Sequence, residues 1–438
     1  MTHEQNLKKI YMPLLLVLIY LIFTEVFFFL GPIQWAKINE KKLLVFLIFC
    51  KIFLVIGYFF GMKLKLNINM KDIFKDEKIY KHLNKVLILA IVMNVIFIIF
   101  RCNSISFEII INKILTGIFN PSVNYNDKFV NLNNRLYNFY APIYTLTSVI
   151  TYSIIPLSLY YFDKIDRKSK ILACINIVVE LSRWFVIGTN KGIIDILIIL
   201  FSVILLKRFQ SDKKIIKKDS LNIKKIFFKF TIIIFLCLGI LYFLNNINGR
   251  LEGRNSSILL SLHRTSLKRN SIYKELPEGL YSLVIYMQSY LTQGYYGLEI
   301  SLDNDFESMY GIGCSSFLTE NLKDVVGDEF VKRSYIEKAS RNGWSSTVNW
   351  HTAYTWIAND ISFVGVFVFM FGLGIYFAKI VIYSINKVNW IFVPLFSSIF
   401  IMFFYFPMNN QLFNNPFQFM GFVGLNILWI LITLKKKE

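Results

Sequence analysis

The chain has 438 residues, 55% of them hydrophobic, with mean hydropathy +0.50 and a formal net charge of +20. That apolar share exceeds the roughly 45–50% of soluble domains, so the composition excludes a purely soluble protein and indicates an all-α, polytopic integral membrane protein. The charge does not argue for nucleic acid, because Lys and Arg fall mainly in short segments between apolar runs, where they act as topology signals.

The first apolar run, 10–31, follows Lys8 and Lys9, exceeds a signal-peptide core and lacks a small-residue cleavage site, so it is expected to stay as an anchor. A helix needs about 20 apolar residues to cross the hydrocarbon core. About ten windows meet this: 10–31, 43–62, 86–101, 141–161, 171–188, 191–206, 226–244, 361–383, 390–407 and 417–434. Glu25 and Lys51 stand about six and eight residues from the same end of the first two spans. At about 1.5 Å per residue they reach similar depth, so they are expected to pair and to serve structure.

Basic stretches such as KRFQSDKKIIKKDSLNIKK and the terminal LKKKE fall on one side when both termini are cytoplasmic. The chain then reads as a seven-helix region (1–244), a large extracytoplasmic loop (245–360) and a three-helix region (361–438). Within the loop, LYSLVIYMQSYLTQGYYGL (280–298) carries no charge, but its Ser, Gln, Thr and Gly residues suit a lipid-facing helix poorly. A crossing there would put LKKKE outside, so an interfacial or re-entrant helix is expected, anchored by Tyr281, Tyr286, Tyr290, Tyr295 and Tyr296.

The external loop also holds the residues suited to chemistry. His263 and His351 are its histidines and its candidate bases, whereas His3 and His82 fall in cytoplasmic segments. Arg250, Arg254, Arg264 and Arg269 cluster in LNNINGRLEGRNSSILLSLHRTSLKRNS, with Arg333 and Arg341 further on. Guanidinium groups keep their charge and bind phosphate oxygens bidentately, so such a cluster at a membrane surface suits a diphosphate head group. Snorkelling to lipid head groups is the competing explanation.

Other classes lose support by absence. There is no GxxxxGK[ST] loop, no HExxH, no GxSxG, and the five cysteines show no CxxC spacing. Asp303-Asn304-Asp305 resembles the DxD of metal-dependent glycosyltransferases. The membrane enzymes that use it carry it soon after their first helix, where this chain reads PIQWAKINEKK.

The segment NWHTAYTWIANDISFVGVFVFMFGLG (349–374) resembles the late signature of the O-antigen polymerase and oligosaccharide repeat-unit polymerase family. There, aromatic residues and an Asp-Phe-Gly-x-x-Gly-like turn lead into a glycine-containing helix. Asp360, Gly365 and Gly372 or Gly374 match, while Ile361 and Ser362 replace the usual Phe-Gly. SRWFVIGTNKGIIDILIIL (182–200) is similar to the family's turn between two helices, and YMQSYLTQGYYGLEISLD to its Tyr-rich segment.

The resemblance implies a multi-pass enzyme of the bacterial cytoplasmic membrane that joins polyprenyl-diphosphate-linked oligosaccharide units at the outer face. It implies no metal or other cofactor. Its expected partners are donor and acceptor lipid-linked oligosaccharides, membrane lipids, a chain-length regulator and a flippase. His351 or His263 would be the base, and Arg254, Arg264 and Arg269, with Arg341 in reserve, the diphosphate clamp. Tyr286, Tyr290, Tyr295 and Trp344 would stack sugar rings, and Asp360 would cap the helix that follows it. A lipid-linked glycan ligase shares this chemistry. A flippase or transporter would show internal repeats and an intramembrane charged path, and the sequence shows no repeat.

Overall fold

A computed structural model describes residues 3–36, 39–64, 76–130, 135–211, 239–247, 249, 265–269, 271–386 and 389–434, which are predominantly α-helical. The chain forms two compact units, one of residues 71–255 and one of residues 2–70 with 256–438. The first unit is therefore inserted, in sequence, into the second.

The two-part unit begins with α1 (His3–Leu30) and α2 (Glu40–Lys63). Lys51 reaches both carboxylate oxygens of Glu25, 2.6 Å from Oε2, so neither charge meets lipid alone. The inserted unit holds α3 (Asp76–Cys102), α4 (Phe107–Phe119), α5 (Pro121–Val130), α6 (Arg135–Leu146), α7 (Ser148–Tyr160), α8 (Arg167–Ile187) and α9 (Lys191–Gln210). The two-part unit then resumes with α10 (Glu278–Ser301), α11 (Ser316–Val326), α12 (Tyr335–Arg341), α13 (Ala353–Ile385), α14 (Phe392–Tyr405) and α15 (Pro416–Leu434).

Among the described residues, Lys8–Leu30, Glu40–Lys63, Lys81–Cys102, Ala353–Ile385 and Pro416–Leu434 are long and apolar enough to cross a membrane. The pair Phe139–Leu146 and Ser148–Tyr160, bent by 52°, adds a sixth if it is one broken span. This is the helix content of a polytopic membrane protein, with fewer apolar spans than the sequence windows suggest. The difference has identifiable sources. Windows 171–188 and 191–206 are helices, but they carry Glu180, Arg183, Lys191 and Asp195. Arg183 pairs with Glu180 and lies over the rings of Trp184, Phe97 and Tyr144 at 4.4, 5.3 and 5.6 Å, and Lys191 pairs with Asp195 at 3.0 Å. The window 390–407 yields only the 14 residues of α14, and most of 226–244 lies outside the described residues.

α2 and α13 pack backbone to backbone. A Cβ at Gly57 would sit 2.0 Å from the Phe371 carbonyl oxygen, and one at Gly374 would sit 2.2 Å from that of Leu54. Small residues at such a crossing let two helices associate where lipid supplies no hydrophobic drive.

Asp360 does not cap a helix. α13 starts earlier, with Thr352 Oγ1 accepting from Thr355 N at 3.2 Å, and it breaks at Ser362, whose φ is 65° and ψ 168°. Ser362 Oγ then accepts from Gly365 N at 3.3 Å and caps the apolar part of α13 that follows the break. The Asp360 carboxylate turns the other way, and its Oδ1 accepts from Gly311 N and Gly313 N, both at 2.9 Å. Asn359 ties the same break to the segment before α11 and to the start of α12, its carbonyl and Oδ1 accepting from Met309 N and Tyr335 N and its Nδ2 donating to the Gly313 carbonyl.

Candidate functional site

The polar residues that make 280–298 a poor lipid-facing helix satisfy backbone groups at the end of α1 and in the segments around it. Gln288 Oε1 accepts from Ile33 N at 2.7 Å, and its Nε2 donates to the carbonyls of Phe27 and Phe28 at 2.9 and 3.2 Å. Tyr295 and Thr24 share a hydroxyl contact of 2.9 Å. Glu299 Oε1 accepts from Asn39 N at 2.7 Å, and the Asn39 side chain in turn caps α2. Gln293 Oε1 accepts from Trp350 N at 3.2 Å. α10 thus joins the end of α1 to the start of α2, which the free ends of both helices require.

Beside α10, the α1–α2 connection forms β1 (Ile33–Gln34), which pairs antiparallel with β2 (Ser266–Leu267). Lys268 N continues the ladder to the Pro32 carbonyl at 2.9 Å. The two strands wall a cavity of about 850 Å³ lined by both strands together with Phe28, Phe29, Trp35, Glu40, Lys268 and Arg269. Trp35, itself buried, stacks on Phe28 (5.2 Å) and Tyr296 (5.5 Å) and meets Trp344 edge-on at 6.5 Å, so a packed aromatic cluster backs the cavity. Lys268 donates to the Phe29 carbonyl at the end of α1. Its burial pulls the ammonium pKa below the ordinary lysine value, and the nearby Glu40 carboxylate opposes that shift. Arg269 is exposed at the rim. The cavity therefore offers two cations and a carboxylate to one ligand.

Of the residues singled out by sequence, Arg269 alone lines this cavity. His263, Arg254 and Arg264 lie outside the described residues, as does Arg250. Arg341 is exposed at the end of α12; the Lys338 hydrogen bond and charge, with smaller contributions from Arg333 and Arg341, hold the Glu307 carboxyl below its usual range. His351 is not an accessible base. It is 1% exposed beneath α10, where a Cβ on Gly297 would stand 3.2 Å from its Nδ1, and among the described residues neither ring nitrogen has a hydrogen-bond partner. Burial pushes its pKa down to about 3, which leaves the imidazole neutral and weakly basic.

Three of the four expected sugar-stacking residues are also buried. Tyr286, Tyr295 and Trp344 are packed inside, the last with its Nε1 donating to the Trp350 carbonyl at 3.0 Å. Tyr290 is half-buried and edge-on to Trp350. Asp303 of the Asp-Asn-Asp triplet pairs with Lys42. The residues that sequence reasoning passed over are Trp35, Glu40 and Lys268. The first two stand in PIQWAKINEKK, which invites attention only for the DxD it lacks, and Lys268 enters through a strand pairing across more than two hundred residues.

The chain matches no family model, no curated protein and no solved structure.

Proposed function

We propose that the chain is a metal-independent membrane glycosyltransferase of the O-antigen polymerase kind. It polymerises polyprenyl-diphosphate-linked oligosaccharide units into O-antigen or capsule at the outer face of the cytoplasmic membrane, with both termini cytoplasmic. The observation that carries this reading is the cavity at the ends of α1 and α2. Lys268 and Arg269 are suited to a lipid diphosphate, and the Glu40 carboxylate beside them is suited to hydrogen bonds with the sugar next to it. The broken helix lends further support: Ser362 stands where the resembling motif has glycine, and its backbone takes a conformation that glycine favours.

The test is surface glycan in a strain lacking its own copy of the gene. The chain should restore a ladder of many repeat units, and Lys268→Ala combined with Arg269→Ala should leave single units at normal protein level. Single units reach the surface without a polymerase, so their absence without the chain would instead indicate a flippase. Full-length glycan present but not joined to its acceptor would indicate a ligase.

A further inference from the structure

Resting on that reading, we infer that Glu40 is the base that deprotonates the acceptor hydroxyl. Glycosyl transfer from a diphosphate needs a cationic clamp and a proton acceptor open to the same ligand, and the buried His351 does not meet that requirement. Glu40 is the carboxylate among the residues lining the cavity. It is exposed, and among the described residues its side chain makes no hydrogen bond or ion pair. Carboxylates placed near cations are usually consumed by them. Here the neighbouring Lys42 is taken by Asp303 and the Leu302 carbonyl, and Lys268, which gives one of its three N–H groups to the Phe29 carbonyl, forms no ion pair with Glu40 among the described residues, which leaves the Glu40 oxygens open to a ligand.

The carboxylate and the cations also come from different elements. Glu40 opens α2, a helix anchored by the Asn39 cap and the Glu299 contact, while Lys268 and Arg269 follow β2. A sugar seated in the cavity can thus meet a base and a clamp that are positioned independently. In the step, the acceptor O–H proton passes to a Glu40 oxygen as the hydroxyl oxygen bonds to the donor's anomeric carbon. The bond from that carbon to the diphosphate oxygen breaks, and its electron pair leaves on the lipid diphosphate, whose charge Lys268 and Arg269 meet. Glu40 then releases the proton to water. A single displacement of this kind inverts the anomeric configuration.

The experiment uses the full chain in lipid nanodiscs, with lipid-linked single units extracted from a strain lacking the gene as substrate. Glu40→Gln should reduce kcat by about 10²–10⁴-fold with KM within threefold of wild type. Glu40→Asp should retain part of the rate, and sodium formate should restore part of it to Glu40→Ala. New linkages should show inverted configuration by NMR. Wild-type kcat in both Glu40→Gln and Glu40→Ala would overturn the assignment while leaving the polymerase reading intact. So would loss without formate rescue and with KM raised in parallel, since that is the behaviour of a helix-terminal structural residue. Absence of polymer from the wild-type chain would sink the polymerase reading itself, and the assignment with it.

Discussion

At the scale of single residues, the chain places polar groups where water and lipid cannot help them, and it resolves most of these by pairing. Glu25 and Lys51 satisfy each other, so removing one partner strands a charge at membrane depth. Glu25→Gln and Lys51→Met should each lower the yield of folded protein on size exclusion, and the double change should recover part of it. A double variant no better than the worse single one would mean the pair carries no coupling. His351 is the opposite case, a buried imidazole with neither nitrogen satisfied, which costs about 1–3 kcal/mol for such a group. His351→Leu should therefore raise the melting temperature at pH 7. The pH sign follows from linkage: the unfolded imidazole takes up a proton below about 6.5 and the folded one only near 3. Between those values the unfolded state binds more protons, so wild-type stability should fall as pH drops from 6.5, at up to about 1.4 kcal/mol per unit. Thermal melts at pH 7 and pH 5 should show a smaller loss in His351→Leu than in wild type. Equal losses would mean that the imidazole is not held neutral.

At the scale of elements, the break in α13 carries a measurable strain. Ser362 occupies a backbone region that is essentially restricted to glycine and costs a side-chain-bearing residue about 1–3 kcal/mol. Ser362→Gly should raise stability despite losing the contact to Gly365 N, whereas Ser362→Ala keeps the strain, loses the cap and should lower it. At the α2–α13 crossing, Gly57→Leu should prevent close packing and lower the yield of folded protein severely, because the atom it meets is backbone. The long apolar helices are legible in the sequence because their signal is local: 43–62, 86–101 and 417–434 each fall within an observed helix, and 10–31 runs one residue past the end of α1. What the sequence hides is non-local. α4 looks like loop because it is short and apolar on one side only, and the inward pairing of the charges on α8 and α9 cannot be read from either helix's apolar run. The Asp360 carboxylate is legible as a backbone-binding group, but its partners, Gly311 and Gly313, lie some fifty residues upstream, and a helix cap was the nearest local use for it. The cavity was hidden for the same reason, since it exists only once β1 and β2 pair.

At the scale of the whole molecule, the lysine pattern predicts that 245–360 lies outside the cell. Cys314 is a poor reporter of this, because burial and the Asp360 carboxylate push its thiol up to about 12 and leave little thiolate at neutral pH. Val325, 81% exposed on α11, is the better position. Val325→Cys in a cysteine-free background should label with an impermeant maleimide on intact cells, and labelling only after lysis would reverse the topology. The split layout of the larger unit also sets an order of events during synthesis. α1 and α2 leave the ribosome with the whole inserted unit still to be made, and at about 5–20 residues per second the glycine face of α2 waits roughly 15–60 s for α13. Through that interval the Glu25–Lys51 contact, formed within the first two helices, lets a charge-bearing hairpin remain in lipid as a neutral one. A nascent chain arrested before α13 should thus hold its first two helices in the membrane when the pair is intact and release them to quality-control proteolysis when either partner is neutralised.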